Sequence, residues 1–297
     1  MVSFWILLLS LLISVLLRPF SYQHEILLAS KHSPESSGGQ TDNILLLTAH
    51  PDDESMFFAP TILGLTSSHS NSPITPTLFS LCLSVGNADG LGDVRRQELE
   101  RSLNILGIVA GHRWIVDRPD LQDNISVAWD ARTVAHVARP YVLSHNITTI
   151  LTFDAHGVSS HPNHISLLHG ASHLLASWPA PSSPISHSAP APRLFSLVSV
   201  PLATKYSGVL GALALHLRLR LLSFIRHSGL APMGGWGTGT PVFASGMREY
   251  RVALRAMQEH RSQLVWFRWL YVAFSRYMWA NEWAEVVPVL HSASTAV

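Results

Sequence analysis

Four short apolar runs set between segments of helical period constrain this chain more than any other feature. Residues 43–48, 77–85, 113–116 and 147–153 each read as a buried strand, a continuous apolar stretch that stops at polar residues. Between them, Leu99, Leu103 and Leu106 recur at helical spacing in a segment opening near Asp93 and closing at Gly107. Residues 127–143 and 165–178 read as two further helices. Strands that alternate with helices imply an α/β fold with a mostly parallel, doubly wound sheet and helices on both faces. With 297 residues, the chain is long enough to build one such domain around a large core.

The formal net charge is +1, so there is no basic excess to neutralise phosphates, and nucleic acid is excluded as the main partner. Charged residues make up only 13% and hydrophobic ones 47%, which points to a membrane instead. Residues 2–17 are apolar and uncharged, stopped by Arg18 and Pro19, and are just long enough to span a bilayer with some thinning. No Lys or Arg precedes the run and no small-x-small cleavage site directly follows it, which favours an uncleaved transmembrane anchor over a signal peptide. Arg18 and Lys31 lie on its C-terminal side, so the expected topology is single-pass with the remainder in the cytoplasm. The expected organisation is an anchor over 1–20, a polar linker over 21–42 and a catalytic domain over 43–297. Cys82 is the one cysteine, so no intrachain disulfide exists. Two sequons, at Asn124 and Asn146, would accept glycans only in a lumenal domain.

Further along, residues 179–193 read as a Pro/Ser-rich surface loop. Residues 206–225 are apolar but carry His216, Arg218 and Arg220, so a helix against the membrane or the core is expected rather than a span. Residues 264–279 mix Trp, Tyr and Arg in the manner of an interfacial helix, and also suit a C-terminal helix packed on the sheet.

The chemistry lies just past two strand ends. After 43–48 comes AHPDDE, with His50, Asp52, Asp53 and Glu54; after 147–153 comes DAHGVSSHPNH, with Asp154, His156, His161 and His164. Adjacent carboxylates repel one another and lose hydration if buried, so a bound cation or a proton-transfer task is needed to make the first cluster tolerable. Ligands in open α/β sheets sit outside the carboxyl ends of the strands, so the two clusters converge. His50 and Asp53, joined by His164, make a two-histidine, one-carboxylate set with an open position, suited to catalytic zinc. The residues alone do not say which of Asp52 and Asp53 would be the ligand. His161 and His164, three apart, share a face if helical, one binding metal and the other facing substrate.

AHPDDE (49–54), SVGNADGLGDVRRQEL (84–99), TFDAHGVSSHPNH (152–164) and HRSQLVWFRWLYVAFSRYM (260–278) together resemble the PIG-L family of the zinc-dependent de-N-acetylases, and its eukaryotic branch most closely. The resemblance runs from about residue 43 to 281. It implies a Rossmann-like domain that hydrolyses the acetamide of N-acetylglucosaminyl-phosphatidylinositol to glucosaminyl-phosphatidylinositol and acetate. That is an early step of GPI-anchor biosynthesis, at the endoplasmic reticulum membrane, with Zn2+ or another divalent metal as cofactor and the glycolipid and membrane as partners. It makes His50, Asp53 and His164 the metal ligands and Asp52 the general base. His161 would stabilise the oxyanion or protonate the leaving amine. Glu54, Asp154 and His156 become supporting groups behind the site. The loop 86–98 becomes a substrate loop whose amides and Arg95 or Arg96 contact the inositol phosphate, with Asn87 and Asp89 as further substrate-binding residues. Bacterial relatives often have HPDH where this chain has HPNH, so Asn163 cannot put a charge beside His161. His260, Arg268 and Arg276 are read as structural or membrane-facing. The alternatives are a soluble or secreted deacetylase of another N-acetylglucosamine conjugate, or an inactive membrane scaffold of the same fold. The intact set His50, Asp52, Asp53, His161 and His164 argues against the scaffold.

Overall fold

The computed structural model describes residues 2–16, 18–22, 27, 42–66, 76–178, 190–228 and 240–287. Most of the polar linker expected over 21–42 and of the loop expected over 179–193 lies outside the described residues.

Eight strands form one sheet: β1 (Phe20–Tyr22), β2 (Asn43–Thr48), β3 (Thr77–Cys82), β4 (Arg113–Ile115), β5 (Thr149–Phe153), β6 (Arg193–Leu197), β7 (Val242–Ala244) and β8 (Ala280–Val286). Their order is β1-β7-β8-β6-β5-β2-β3-β4. From β6 to β4 every pairing is parallel, whereas β8, β7 and β1 add an antiparallel edge. All of β5, and β2 from Ile44 onward, are buried at consecutive residues, so layers cover both faces of the central sheet. That is why these runs are unbroken in apolar character rather than alternating.

The helices start and stop where local hydrogen bonds dictate. The helix Gly92–Leu106 begins where Asn87 Oδ1 accepts the Gly92 N–H at 2.8 Å. It ends on Gly107, whose φ of 82° lets its N–H close the last turn. The helix expected from 127 begins only at Ala131, because Asp130 caps it by accepting the Thr133 N–H at 2.8 Å. It packs on Pro162–Ala176. The approach is close: a Cβ on Gly170 would lie 2.1 Å from Val134 Cγ1.

Three expectations change. Residues 264–279 do not make one helix. The helix Trp266–Phe274 stops at Ser275, a short 3-10 turn follows, and β8 begins at Ala280. The N-terminal helix spans Val2–Leu16, a rise of about 22 Å against a hydrocarbon core of about 30 Å. Among the described residues no helix is long and apolar enough to cross a membrane, so the expected transmembrane helix is not found there. Nor does a free linker begin at residue 21, since Phe20–Tyr22 pairs antiparallel with Val242–Ala244 and joins the apolar helix directly to the sheet edge.

Candidate active site

β2 is the pivot of the sheet. The chain moves from it to β3 and β4 on one side, then returns to β5 and β6 on the other. A crevice therefore opens at the carboxyl ends of β2 and β5, the switch point at which such sheets bind ligands. The two clusters of the sequence meet in it, in a cavity of about 640 Å³ lined by His50, Asp52, Asp53, His161 and His164.

Each loop is held by its own polar groups. Asp53 Oδ2 accepts the N–H groups of Ala49 and His50, both at 2.9 Å, which leaves Oδ1 facing His164 Nε2 at 3.2 Å. Asp52 adopts a φ of 112°, in the left-handed region disfavoured for a residue with a Cβ. Glu54 Oε2 holds it there by accepting the Asp52 N–H at 3.1 Å. On the other side His161 is the N-cap of the helix starting at Pro162, its Nδ1 accepting the Asn163 N–H at 3.2 Å. That leaves His161 Nε2 for the cavity. His164 sits in the first turn, stacked on Phe153 at a centroid distance of 4.0 Å, with Nδ1 on the Gly157 carbonyl at 3.1 Å. His161 and His164 thus reach the site as a cap and a helical residue, not as two residues on one helical face.

Ligand atoms of His50, His161 and His164 lie within 4.8 Å of one another. With Asp53 alongside His164, they form the nitrogen and oxygen donor set that fits a divalent cation. The electrostatics agree. Burial pushes His50 down to about 4 against the pull of Asp53 and Asp123, so its ring is neutral at pH 7 and has a lone pair to offer. Burial would raise Asp53, but His164 and the His50 amide outweigh it and keep the carboxyl ionised. Burial raises Asp52 above the usual carboxylate value, with Arg268 pulling the other way.

Three side chains that the sequence reading left out complete the site. Asp123 lies 3.3 Å from His50 Nε2 and 3.9 Å from His161 Nε2. The carboxylate that Asn163 cannot supply beside His161 therefore comes from another loop. Asn163 serves instead as a tie: its Oδ1 accepts the Asn124 N–H at 3.1 Å and its Nδ2 donates to the Val127 carbonyl at 2.8 Å. Arg268, read as structural or membrane-facing, donates to Asp52 Oδ2 at 2.5 Å and lines the cavity. His260 is fully buried with its Nε2 2.6 Å from Glu54 Oε1, so Glu54 both fixes the Asp52 amide and forms an internal ion pair. Arg276 keeps its structural role, paired with Glu282.

The substrate-loop residues fall differently. Arg95 lines the cavity, but its guanidinium is taken up by Asp123 at 2.9 Å and by the carbonyls of Gly86 and Pro51 at 2.9 and 3.1 Å. It ties three loops together. Asn87 and Asp89 are exposed and do not line the cavity, Asn87 because it is spent on capping Gly92. His156 is exposed as well. Asp154 organises the loop behind His164, accepting the N–H groups of His156, Gly157 and Ser199 at 3.0, 3.0 and 2.7 Å. It acts on His164 through Gly157. Cys82 is buried, and burial raises its thiol well out of the reactive range.

The fold and the acid–histidine crevice define a doubly wound α/β protein whose polar site sits at the switch point of its sheet. Its backbone is similar to that of N,N'-diacetylchitobiose deacetylase from Pyrococcus horikoshii, with a TM-score of 0.52 over 92% of this chain and 94% of that one, at 12% identity. The chain belongs to the PIG-L family: residues 45–175 match PIG-L, GlcNAc-PI de-N-acetylase. It is 37% identical to the N-acetylglucosaminyl-phosphatidylinositol de-N-acetylase of Bos taurus over 84% of this chain and 86% of the relative. To the probable enzyme of that name from Schizosaccharomyces pombe it is 34% identical, over 83% and 90%.

Proposed function

We propose that this chain removes the acetyl group of N-acetylglucosaminyl-phosphatidylinositol, giving the free amine and acetate, an early step in building GPI anchors. The observation that carries this reading is the meeting of His50, His161, His164, Asp52 and Asp53 in one cavity of a PIG-L chain. A divalent cation, zinc by the nature of the donors, would be held by His50, Asp53 and His164, and would supply charge for the acetamide oxygen and acidify water.

The remaining chemistry belongs to the chain's own groups. Asp52 takes a proton from the attacking water at its carboxylate. Burial raises its affinity for a proton above that of an ordinary carboxylate, and Arg268 fixes its orientation. His161 directs Nε2 into the cavity, where it donates to the oxygen as negative charge develops, and the proton that Asp52 took from water passes to the departing amine. Burial and the neighbouring His164 lower the affinity of His161 for a second proton, and Asp123, 3.9 Å away, pulls the other way. Asp53 and Gly157 hold His164 in one tautomer.

The chain works at a membrane, with its domain on the cytoplasmic face of the endoplasmic reticulum. The N-terminal helix exposes Phe4, Trp5, Ile6 and Leu7, and lies in the bilayer interface with these side chains in the lipid. The helix Trp266–Phe274 exposes Trp266 (78%), Phe267, Trp269, Leu270 and Phe274, and three of these also line the cavity, so the mouth of the site is apolar.

The test is deacetylation of N-acetylglucosaminyl-phosphatidylinositol with chelator, and again after zinc is restored. Activity should vanish and return. Asp53→Ala should lose bound metal together with activity. Asp52→Asn should keep the metal while kcat falls by about 10²–10⁴. Chelator-insensitive turnover, or near-normal turnover by Asp52→Asn, would refute the assignment.

A further inference from the structure

In the exposed turn 201–206, polarity is inverted. Leu202 is 71% exposed while Lys205, the charged residue of the turn, is 7% exposed and lines the catalytic cavity. Holding an ammonium out of water costs free energy unless a partner neutralises it. Among the described residues no carboxylate lies within ion-pair distance of Lys205, and its Nζ donates only to the Val158 carbonyl, at 3.2 Å. The Tyr206 ring, 5.6 Å from Nζ, adds a weak cation–π contact. Burial accordingly lowers the lysine's affinity for its proton.

The carbonyl that receives Lys205 is itself unusual. Val158 has a φ of 60°, a backbone conformation that a β-branched residue rarely adopts, and it lies in the loop just before His161. Lys205 thus presents a buried cation with one neutral acceptor at the wall of the catalytic cavity.

We infer that Lys205 binds the phosphodiester monoanion of the substrate, and this rests on the glycolipid reading above. The three chemistries of such a substrate then have separate receivers. The acetamide meets the histidines and aspartates, the phosphodiester meets Lys205, and the acyl chains leave over the exposed rim of Phe267, Leu270 and Phe274. Arg95 does not compete for the phosphate because Asp123 already neutralises it.

The experiment compares the full-length protein with Lys205→Met and Lys205→Arg on two substrates in the same detergent micelles. One is N-acetylglucosaminyl-phosphatidylinositol and the other a phosphate-free octyl N-acetylglucosaminide. For Lys205→Met the ratio of kcat/KM between the first and second substrate should fall by about 10- to 100-fold, the worth of one charge-assisted hydrogen bond, mostly through KM. Lys205→Arg should recover most of that ratio. The melting temperature of Lys205→Met should be unchanged or higher, since an apolar residue replaces a buried unpaired charge. An unchanged ratio, an equal loss on both substrates, or a variant that fails to fold would overturn the inference. A wild-type protein that turns over only the phosphate-free glycoside would instead refute the glycolipid reading, and the role of Lys205 with it.

Discussion

The Glu54–His260 pair offers the sharpest test of how the site is held. Both side chains are fully buried, with His260 Nε2 2.6 Å from Glu54 Oε1. The same carboxylate oxygen accepts from Ser102 Oγ at 2.5 Å, and the other accepts the Asp52 N–H at 3.1 Å. Burial alone would raise Glu54 and lower His260. Their mutual attraction outweighs it in both, holding Glu54 below and His260 above the ordinary values, which favours the ionised pair. Glu54→Gln keeps the volume and the acceptor for Ser102 but removes the charge opposite a buried imidazolium. Because His260 Nδ1 already has no partner among the described residues, nothing nearby compensates. Removing one partner of a buried pair costs about 3–5 kcal/mol, and the retained hydrogen bonds put this change near the lower end, about 3. His260→Gln should cost about the same. The double variant has no uncompensated charge, so it should be less destabilised than the sum by at least about 1.5 kcal/mol. Urea unfolding of the four proteins in detergent measures this coupling directly. Additivity within about 0.5 kcal/mol would refute an ionised pair. Turnover should fall in Glu54→Ala, where the Asp52 amide loses the acceptor that holds its left-handed φ.

Other predictions follow from packing and topology. Gly170→Ala forces a Cβ to within 2.1 Å of Val134 Cγ1 and should cost about 1–3 kcal/mol, read as a lower melting temperature; an unchanged one would mean the two helices separate freely. Deleting residues 1–17 should weaken binding to lipid vesicles yet leave the domain folded. Deleting 1–22 should also destabilise it, because β7 loses its edge partner β1, and equal melting temperatures for the two truncations would count against that role. Asn124 and Asn146 should carry no glycans in cells, and a mobility shift on endoglycosidase treatment would place the domain in the lumen instead.

What the sequence determined by itself is what adjacency along the chain can encode. The run Asn43–Thr48 matches β2 residue for residue, because a strand buried on both faces must be continuously apolar. His50, Asp52 and Asp53 follow β2 at once, and His161 and His164 follow β5 across one short loop, so the sequence itself directed both clusters to the carboxyl ends of parallel strands. The antiparallel edge was not legible. β8, with Asn281, Glu282 and Glu285 among its apolar residues, is buried only in part and shows no clean period. The register of the site's partners was likewise hidden. Asp123 answers Arg95 across 28 residues, Arg268 answers Asp52 across 216, and His260 answers Glu54 across 206. A charge in a sequence carries no address. Only the folded sheet, by bringing those segments over the ends of β2 and β5, decides which opposite charge it meets and whether water is left to screen the pair.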